Sequence, residues 1–403
     1  MPGFDPQTVR WLLPLVLLGH LSLWVGIFNR LHALNIPDHR IRQLERFLVF
    51  PLAAVIPPIL VALSWNLEHL ASPPRALLAA YHGLALASLT MAAVIWCQRE
   101  WYRSQDQRPL RGNHTVVRNW AERRRSYVAE GAMQRMAQIP GNQILELHVH
   151  HKRLVVPRLP ASLSGLTIAH LSDLHITGRF SLEFYQAIVQ ESNGWNPDLV
   201  VVTGDIVDKA RCLDWIHPTL GRLESRLGSF YILGNHDLRV GDEAALRRAL
   251  HESGMTDVGS QCHLTEWNKT PVLLAGDERP WFGCGPDPGE MPPDGFRILL
   301  AHSPDRFPWA VSQDFDLVLA GHTHGGQIRL PAVGPIVCPS AYGVRYASGV
   351  FCKQDTVMHV TRGLCGVHPL RFGCPPELAI LTLETPSDGK KGRNHTLDSR
   401  RHV

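Results

Sequence analysis

Charge is scarce in this sequence of 403 residues. Asp, Glu, Lys and Arg make up 19% of it, and 40 basic residues against 36 acidic leave a formal net charge of +4. So small an excess gives no electrostatic case for nucleic acid, and no nucleic-acid partner is expected. Cysteine spacing is equally uninformative of a framework. The eight, at 97, 212, 262, 284, 338, 352, 365 and 374, include no C-x-x-C pair. Their scatter favours reduced thiols in a cytosolic domain over a set of disulfides.

Three windows lack Asp, Glu, Lys and Arg altogether: Trp11–Phe28, Phe47–Trp65 and Ala76–Cys97. Each has the length, about 17–25 residues, that spans a bilayer as a helix. Buried core helices would need a soluble domain around them, and residues 1–97 hold little else. No basic stretch precedes the first window and no clean small-residue site follows it, which argues against a cleaved signal peptide. The expectation is a three-helix transmembrane region over 1–97. If the first window does not span, two helices remain.

Arginines supply the orientation. Arg30, Arg40, Arg42 and Arg46 follow the first window, and Arg75 alone follows the second. Arg99, Arg103, Arg108, Arg111, Arg118 and the run Arg123-Arg124-Arg125 follow the third. Basic loops stay on the cytoplasmic side. This predicts a multi-pass protein of the cell (inner) membrane with its N-terminus outside and its downstream domain in the cytoplasm. Residues 98–143 carry Trp101, Tyr102 and Trp120 among their basic residues. They read as a juxtamembrane linker, either an interfacial helix on anionic headgroups or a solvated one. Residues 386–403 read as a basic disordered tail.

The residues able to do chemistry stand where apolar runs end. Phe230–Leu233 leads into Gly234-Asn235-His236-Asp237, and Leu166–Ser172 into Asp173-Leu174-His175. Leu199–Thr203 leads into Gly204-Asp205, Arg297–Ala301 into His302, and Leu317–Ala320 into Gly321-His322-Thr323-His324. The runs read as buried strands, and the exits of parallel strands are where α/β sheets bind ligands. In Asp173/His175 and in His322/His324 the two residues stand two apart, so both project to one side of an extended chain. Carboxylate, imidazole and carboxamide are metal-ligand types that are costly to bury without a purpose.

The order D-x-H, G-D, G-N-H-D, a single H and G-H-T-H, all within 173–324, resembles the calcineurin-like metallophosphoesterase superfamily. Gly325–Pro331, Thr361-Arg362-Gly363 and Cys374–Leu378 are similar to its membrane-associated bacterial branch, which includes one type of UDP-2,3-diacylglucosamine pyrophosphatase. The resemblance covers 144–385 and implies an α/β layered fold, two packed mixed β-sheets flanked by helices, after the N-terminal transmembrane helical region. It implies two divalent ions bridged by Asp205. Asp173, His175 and His324 would complete one, and Asn235, His302 and His322 the other. That donor mixture suits Mn, Fe or Zn rather than an all-oxygen Mg or Ca site, with Mn first. A water bridging two dications loses a proton near neutral pH and becomes the nucleophile. His236 would stabilise developing charge or protonate the leaving oxygen, and Asp237 is expected to orient that imidazole. The expected reaction is hydrolysis of a phosphodiester or pyrophosphate bond in a phosphorylated substrate. A lipid-linked substrate at the bilayer, such as UDP-2,3-diacylglucosamine, is the finer expectation. The alternatives are a general phosphodiesterase or phosphatase with an incidental anchor, and a non-catalytic scaffold that kept the fold.

Elsewhere, Leu145–Pro157 alternates with period two and reads as an edge strand whose His148, His150 and His151 lie on an exposed face. Ser181–Gln190 and Glu243–His251 have helical character. Val357–Thr361 and Glu377–Leu383 read as strands. His170 and His217 read as packing or surface residues, and Asp208 and Asp242 as turn or cap residues.

Overall fold

Two mixed sheets frame the larger part of the chain. The computed structural model describes residues 5–386 apart from 35, 37, 290, 291, 293 and 367, so the tail expected over 386–403 lies outside the described residues from 387 onward. In chain order the strands are β1 (Leu110–Asn119), β2 (Glu146–Val155), β3 (Thr167–Leu171), β4 (Leu199–Thr203), β5 (Ser229–Ile232), β6 (Met255–Asp257), β7 (Cys262–Trp267) and β8 (Thr270–Asp277). They continue as β9 (Phe296–Ala301), β10 (Leu317–Ala320), β11 (Arg329–Leu330), β12 (Gly334–Pro335), β13 (Gly349–Lys353), β14 (Thr356–Val360) and β15 (Glu377–Glu384). One sheet has seven strands in the order β1-β2-β15-β3-β4-β5-β6, and the other six in the order β13-β14-β10-β9-β8-β7. β3, β4, β5 and β6 run parallel, as do β8, β9, β10 and β14, while β15 is antiparallel to β3.

Burial explains why the runs are unbroken. Every residue of β4 is buried, as in parallel strands covered on both faces, so Leu199–Val202 has no polar alternate positions. Ile168, Val201 and Ile232 from one sheet share a core cluster with Leu274, Leu300 and Leu319 from the other. On the outer face, the helix Leu182–Asn193 buries Phe184, Tyr185 and Ile188. The helix Glu243–Glu252 starts at Asp242, whose side chain accepts from the Ala245 N–H at 2.9 Å, as its cap reading expects.

Two expectations change here. β2, read as an edge strand, is interior, because β1 pairs with it antiparallel from Leu110↔Leu154 to Asn119↔Glu146. β1 comes from the stretch expected to be a linker; its Thr115-Val116-Val117 is β-branched and suits a half-exposed edge strand. The larger compact unit accordingly starts at Gln105 rather than 144 and, among the described residues, comprises 105–335 and 346–386.

The second unit comprises Met1–Ser104 together with Ile336–Arg345. Among the described residues, Pro6–Leu31, Arg40–Trp65 and Ser72–Tyr102 are long and apolar enough to cross a membrane. Large apolar side chains such as Trp11, Leu21, Phe47, Leu77 and Met91 point outward from these helices, as lipid-facing side chains do. Gly19 allows a close crossing, since a Cβ there would lie 2.1 Å from the Ala85 carbonyl oxygen. Asn29, buried near the end of the first helix, donates to the Ile336 carbonyl at 3.1 Å and accepts from the Cys338 N–H at 2.8 Å.

Candidate metal centre

Each of β3, β4, β5, β9 and β10 ends in a turn that swings its polar residues together. The turns are tight. Asp173, His175, Asp205, His322 and His324 all have φ between 46° and 69°. That left-handed conformation costs a non-glycine residue on the order of 1 kcal/mol or more. Bonds between the loops hold it: the Asp173 N–H donates to the Gly204 carbonyl at 3.0 Å and the His175 N–H to the Asp205 carbonyl at 2.9 Å. Gly204 itself has φ 87°, and a Cβ there would sit 2.5 Å from His302 Nδ1, so only glycine lets β4 and β9 end this close.

The donors fall into two groups that share one carboxylate. Asp173, His175, Asp205 and His324 form the first, and Asp205, His302 and His322 the second, with all offered atoms of each group within 4.8 Å of one another. Asp205 Oδ2 faces His175 Nε2 at 3.6 Å, while its Oδ1 faces His302 Nε2 at 3.3 Å. Asn235 Oδ1 lies 3.2 Å from the same His302 nitrogen. His302 Nδ1 donates to the Thr203 carbonyl at 2.7 Å, which leaves its Nε2 lone pair directed into the group. His322 turns its Nδ1 into the group, 3.2 Å from His302 Nε2. Burial works to lower the His302 pKa, yet Asp205 beside it holds the imidazole up at about 9, whereas burial pushes His322 well below the usual imidazole range. Converging imidazole nitrogens and a shared buried carboxylate fit a pair of divalent cations.

The carboxylate expected on His236 is Asp208, not Asp237. Asp208 Oδ2 accepts from His236 Nδ1 at 2.8 Å and from Arg239 Nη1 at 3.0 Å, while its Oδ1 accepts from His175 Nδ1 at 2.8 Å. Burial works to raise Asp208, and the two imidazoles reverse this and hold it far below the usual carboxylate range. Asp237 serves the backbone instead. Its Oδ1 accepts from the Ile206 and Val207 N–H groups at 2.9 and 2.8 Å, and its Oδ2 from the Gly234 N–H at 2.7 Å. Those three bonds fasten the β4 and β5 loops together and leave no oxygen for His236. The His236 side chain is 14% exposed, whereas His175 and His302 are fully enclosed.

Two further residues join the site that strand-exit patterns did not reveal. The Trp281 ring lies 4.8 Å from His322 and 5.5 Å from His302, forming an aromatic wall. Arg371, fully buried, donates to the carbonyls of His324 at 2.9 Å and Arg362 at 2.8 Å and fixes the turn that carries His324. Their signals were an isolated Trp and an isolated Arg, which say nothing until the chain folds.

Comparison with known proteins adds to this geometry. Residues 166–326 match the calcineurin-like phosphoesterase family. The chain is 34% identical over 237 residues to the metallophosphoesterase YkuE of Bacillus subtilis (strain 168), spanning 56% of this chain and 82% of that protein. It is 31% identical over 224 residues to the phosphodiesterase YaeI of Escherichia coli (strain K12), spanning 54% and 81%. With the UDP-2,3-diacylglucosamine pyrophosphatase LpxG of Chlamydia muridarum (strain MoPn / Nigg) it shares 26% identity over 283 residues, spanning 56% and 86%.

Proposed function

This chain belongs to the calcineurin-like metallophosphoesterase family, and on that premise we propose that it hydrolyses a lipid-linked phosphodiester or pyrophosphate at a membrane. The observation that carries the catalytic part is Asp205, whose two oxygens each face a different donor group. In this reading Asp173, His175 and His324 complete the ligands of one ion, and Asn235, His302 and His322 those of the other. Mn leads the assignment, with Fe and Zn also suited to the donors. When bound, the two ions supply an activated water and neutralise the phosphoryl oxygens.

The chain's own groups do the rest. Asp208 occupies His236 Nδ1, so any proton His236 gives or takes moves through Nε2 on its partly open side. That supports His236 as the donor to the leaving oxygen. Asp237 contributes by locking the loops that carry Asp205 and Asn235. Trp281 offers a flat, water-excluding face to the group attached to the phosphate.

Support for a lipid-linked substrate comes from the LpxG likeness and from three helices able to cross a membrane. Confinement to a bilayer raises the effective concentration of the site for membrane-borne substrates. The arginine bias supports a cytoplasmic catalytic unit in an inner membrane. The test uses the full chain in vesicles with Mn, against a phosphomonoester, a soluble aryl phosphodiester and UDP-2,3-diacylglucosamine. Release of UMP from the lipid substrate well above turnover of the soluble compounds is expected. Turnover of the soluble diester alone would replace this reading with the general phosphodiesterase that the YaeI likeness favours. Hydrolysis of none would overturn both.

A further inference from the structure

Behind the metal centre, between the sheets, lies a line of buried polar groups that the proposed reaction does not use. Lys152 on β2 donates to Glu377 Oε1 on β15 at 2.5 Å and to His359 Nε2 on β14 at 2.8 Å. His359 Nδ1 meets His170 Nδ1 on β3 at 2.9 Å. His170 Nε2 in turn meets the Thr203 hydroxyl, at the end of β4, at 2.9 Å. Lys152, His359, His170, Thr203 and Glu377 are all buried. The line leaves the seven-stranded sheet at Lys152, crosses to the six-stranded sheet at His359 and returns at His170.

The direction of every bond in it follows from one fact: an ammonium group only donates. His359 Nε2 must therefore accept, which places the His359 proton on Nδ1. That nitrogen donates to His170 Nδ1, so the His170 proton sits on Nε2. His170 Nε2 then donates to the Thr203 oxygen, whose own proton is directed to the Leu171 carbonyl at 3.5 Å. The line ends on the residue whose main-chain carbonyl receives the His302 Nδ1–H, and also the Ser172 hydroxyl at 3.1 Å. A carbonyl only accepts, so its placement decides that His302 presents Nε2 to the metal centre.

We propose that Lys152, His359 and His170 form a one-way hydrogen-bond relay that positions Thr203 and through it the His302 ligand, supporting one metal position and not the other. The relay rests on His302 holding one of the two ions, as read above. It touches neither Asp173, His175 nor His324. His359 and His170 are positioning residues; neither reaches substrate.

The relay is tested on the full-length protein in detergent. In metal-free protein with 15N-labelled histidine, the relay requires His359 to carry its proton on Nδ1 and His170 on Nε2. The reverse tautomers, or two histidines with the proton on the same nitrogen, would overturn it. Titration with Mn supplies the second readout. In His359→Leu the affinity of one ion should fall about 10–100-fold, the usual cost of losing an outer support, while the other holds. His359→Gln keeps an acceptor for Lys152 and a donor for His170, and should restore the weakened ion to within a few-fold. Unchanged affinities in His359→Leu, or equal loss of both ions in His359→Leu and His359→Gln, would sink the relay. Wild-type protein that binds no second ion would instead remove the metal assignment, and the tautomers, read without metal, would still decide the relay.

Discussion

Asp208 carries two imidazoles on one carboxylate, and replacing it separates orientation from ligation. An amide offers one accepting oxygen, so Asp208→Asn must release or flip His175 or His236. A loss of about 10–100-fold in kcat or in metal affinity is expected; wild-type kcat together with full metal content would refute the assignment. Asp237→Asn should act otherwise, lowering the melting temperature because backbone N–H groups lose their acceptor, with His236 still held. His170 gives a separate expectation with pH. Burial pushes its pKa down to about 3, against about 6.5 in an unfolded chain. Between those values the unfolded chain binds the proton and the folded one does not. Stability is therefore full above about pH 6.5 and falls as pH drops toward about 3. His170→Gln should make that acid limb shallower in melting curves; an unaltered slope would count against it. The strand-exit residues were legible in the sequence because buried imidazoles and carboxylates demand a reason. Asp208 was not, since three residues after Asp205 it reads as an ordinary turn residue. Adjacency pointed to Asp237 as the partner of His236, but the left-handed turn at Asp205 brings Asp208 there instead.

Strands β3, β4, β5, β9 and β10 were visible as apolar runs because β4, β5 and β10 are buried throughout and β3 and β9 at all but one position, which leaves no polar alternation. β1 was hidden for the opposite reason: it lies at the sheet edge, and its outward Arg, His and Asn residues look like a linker. The elements meet at their ends with almost no clearance. At Gly321, just past β10, a Cβ would lie 1.9 Å from Ser172 Oγ and 2.6 Å from Asp173 Oδ2, just past β3. Gly321→Ala should therefore push the loops after β3 and β10 apart while leaving the core between the sheets intact. Near-wild-type circular dichroism with metal content reduced to one ion or none is the expected result. Two ions bound at wild-type affinity would show that the loops tolerate the separation.

At the scale of the whole chain, the uncharged runs announced the helices that could cross a membrane, and arginine placement set their expected direction. A reporter at the C-terminus should behave as cytoplasmic; its digestion by protease added outside right-side-out vesicles would reverse the topology. No periodicity or composition signalled that Ile336–Arg345 belongs with the helices, because the links are side chains reaching residues far away in sequence: Asn29 reads two backbone groups, and Arg345 lies 5.2 Å from the Tyr102 ring. Those links change how the helices are joined to the chain. A tether joined at one point can be clipped and shed, like a leash. Here the chain leaves the helical unit at Ser104, comes back to it at Ile336 and leaves again at Arg345, so it is laced rather than tied. A single cut near residue 105 should therefore leave the pieces together, which co-elution after limited proteolysis would check. A gene shortened to remove the helices would leave a bare loop, starting 12 residues after His324, with its Asn29 partner gone.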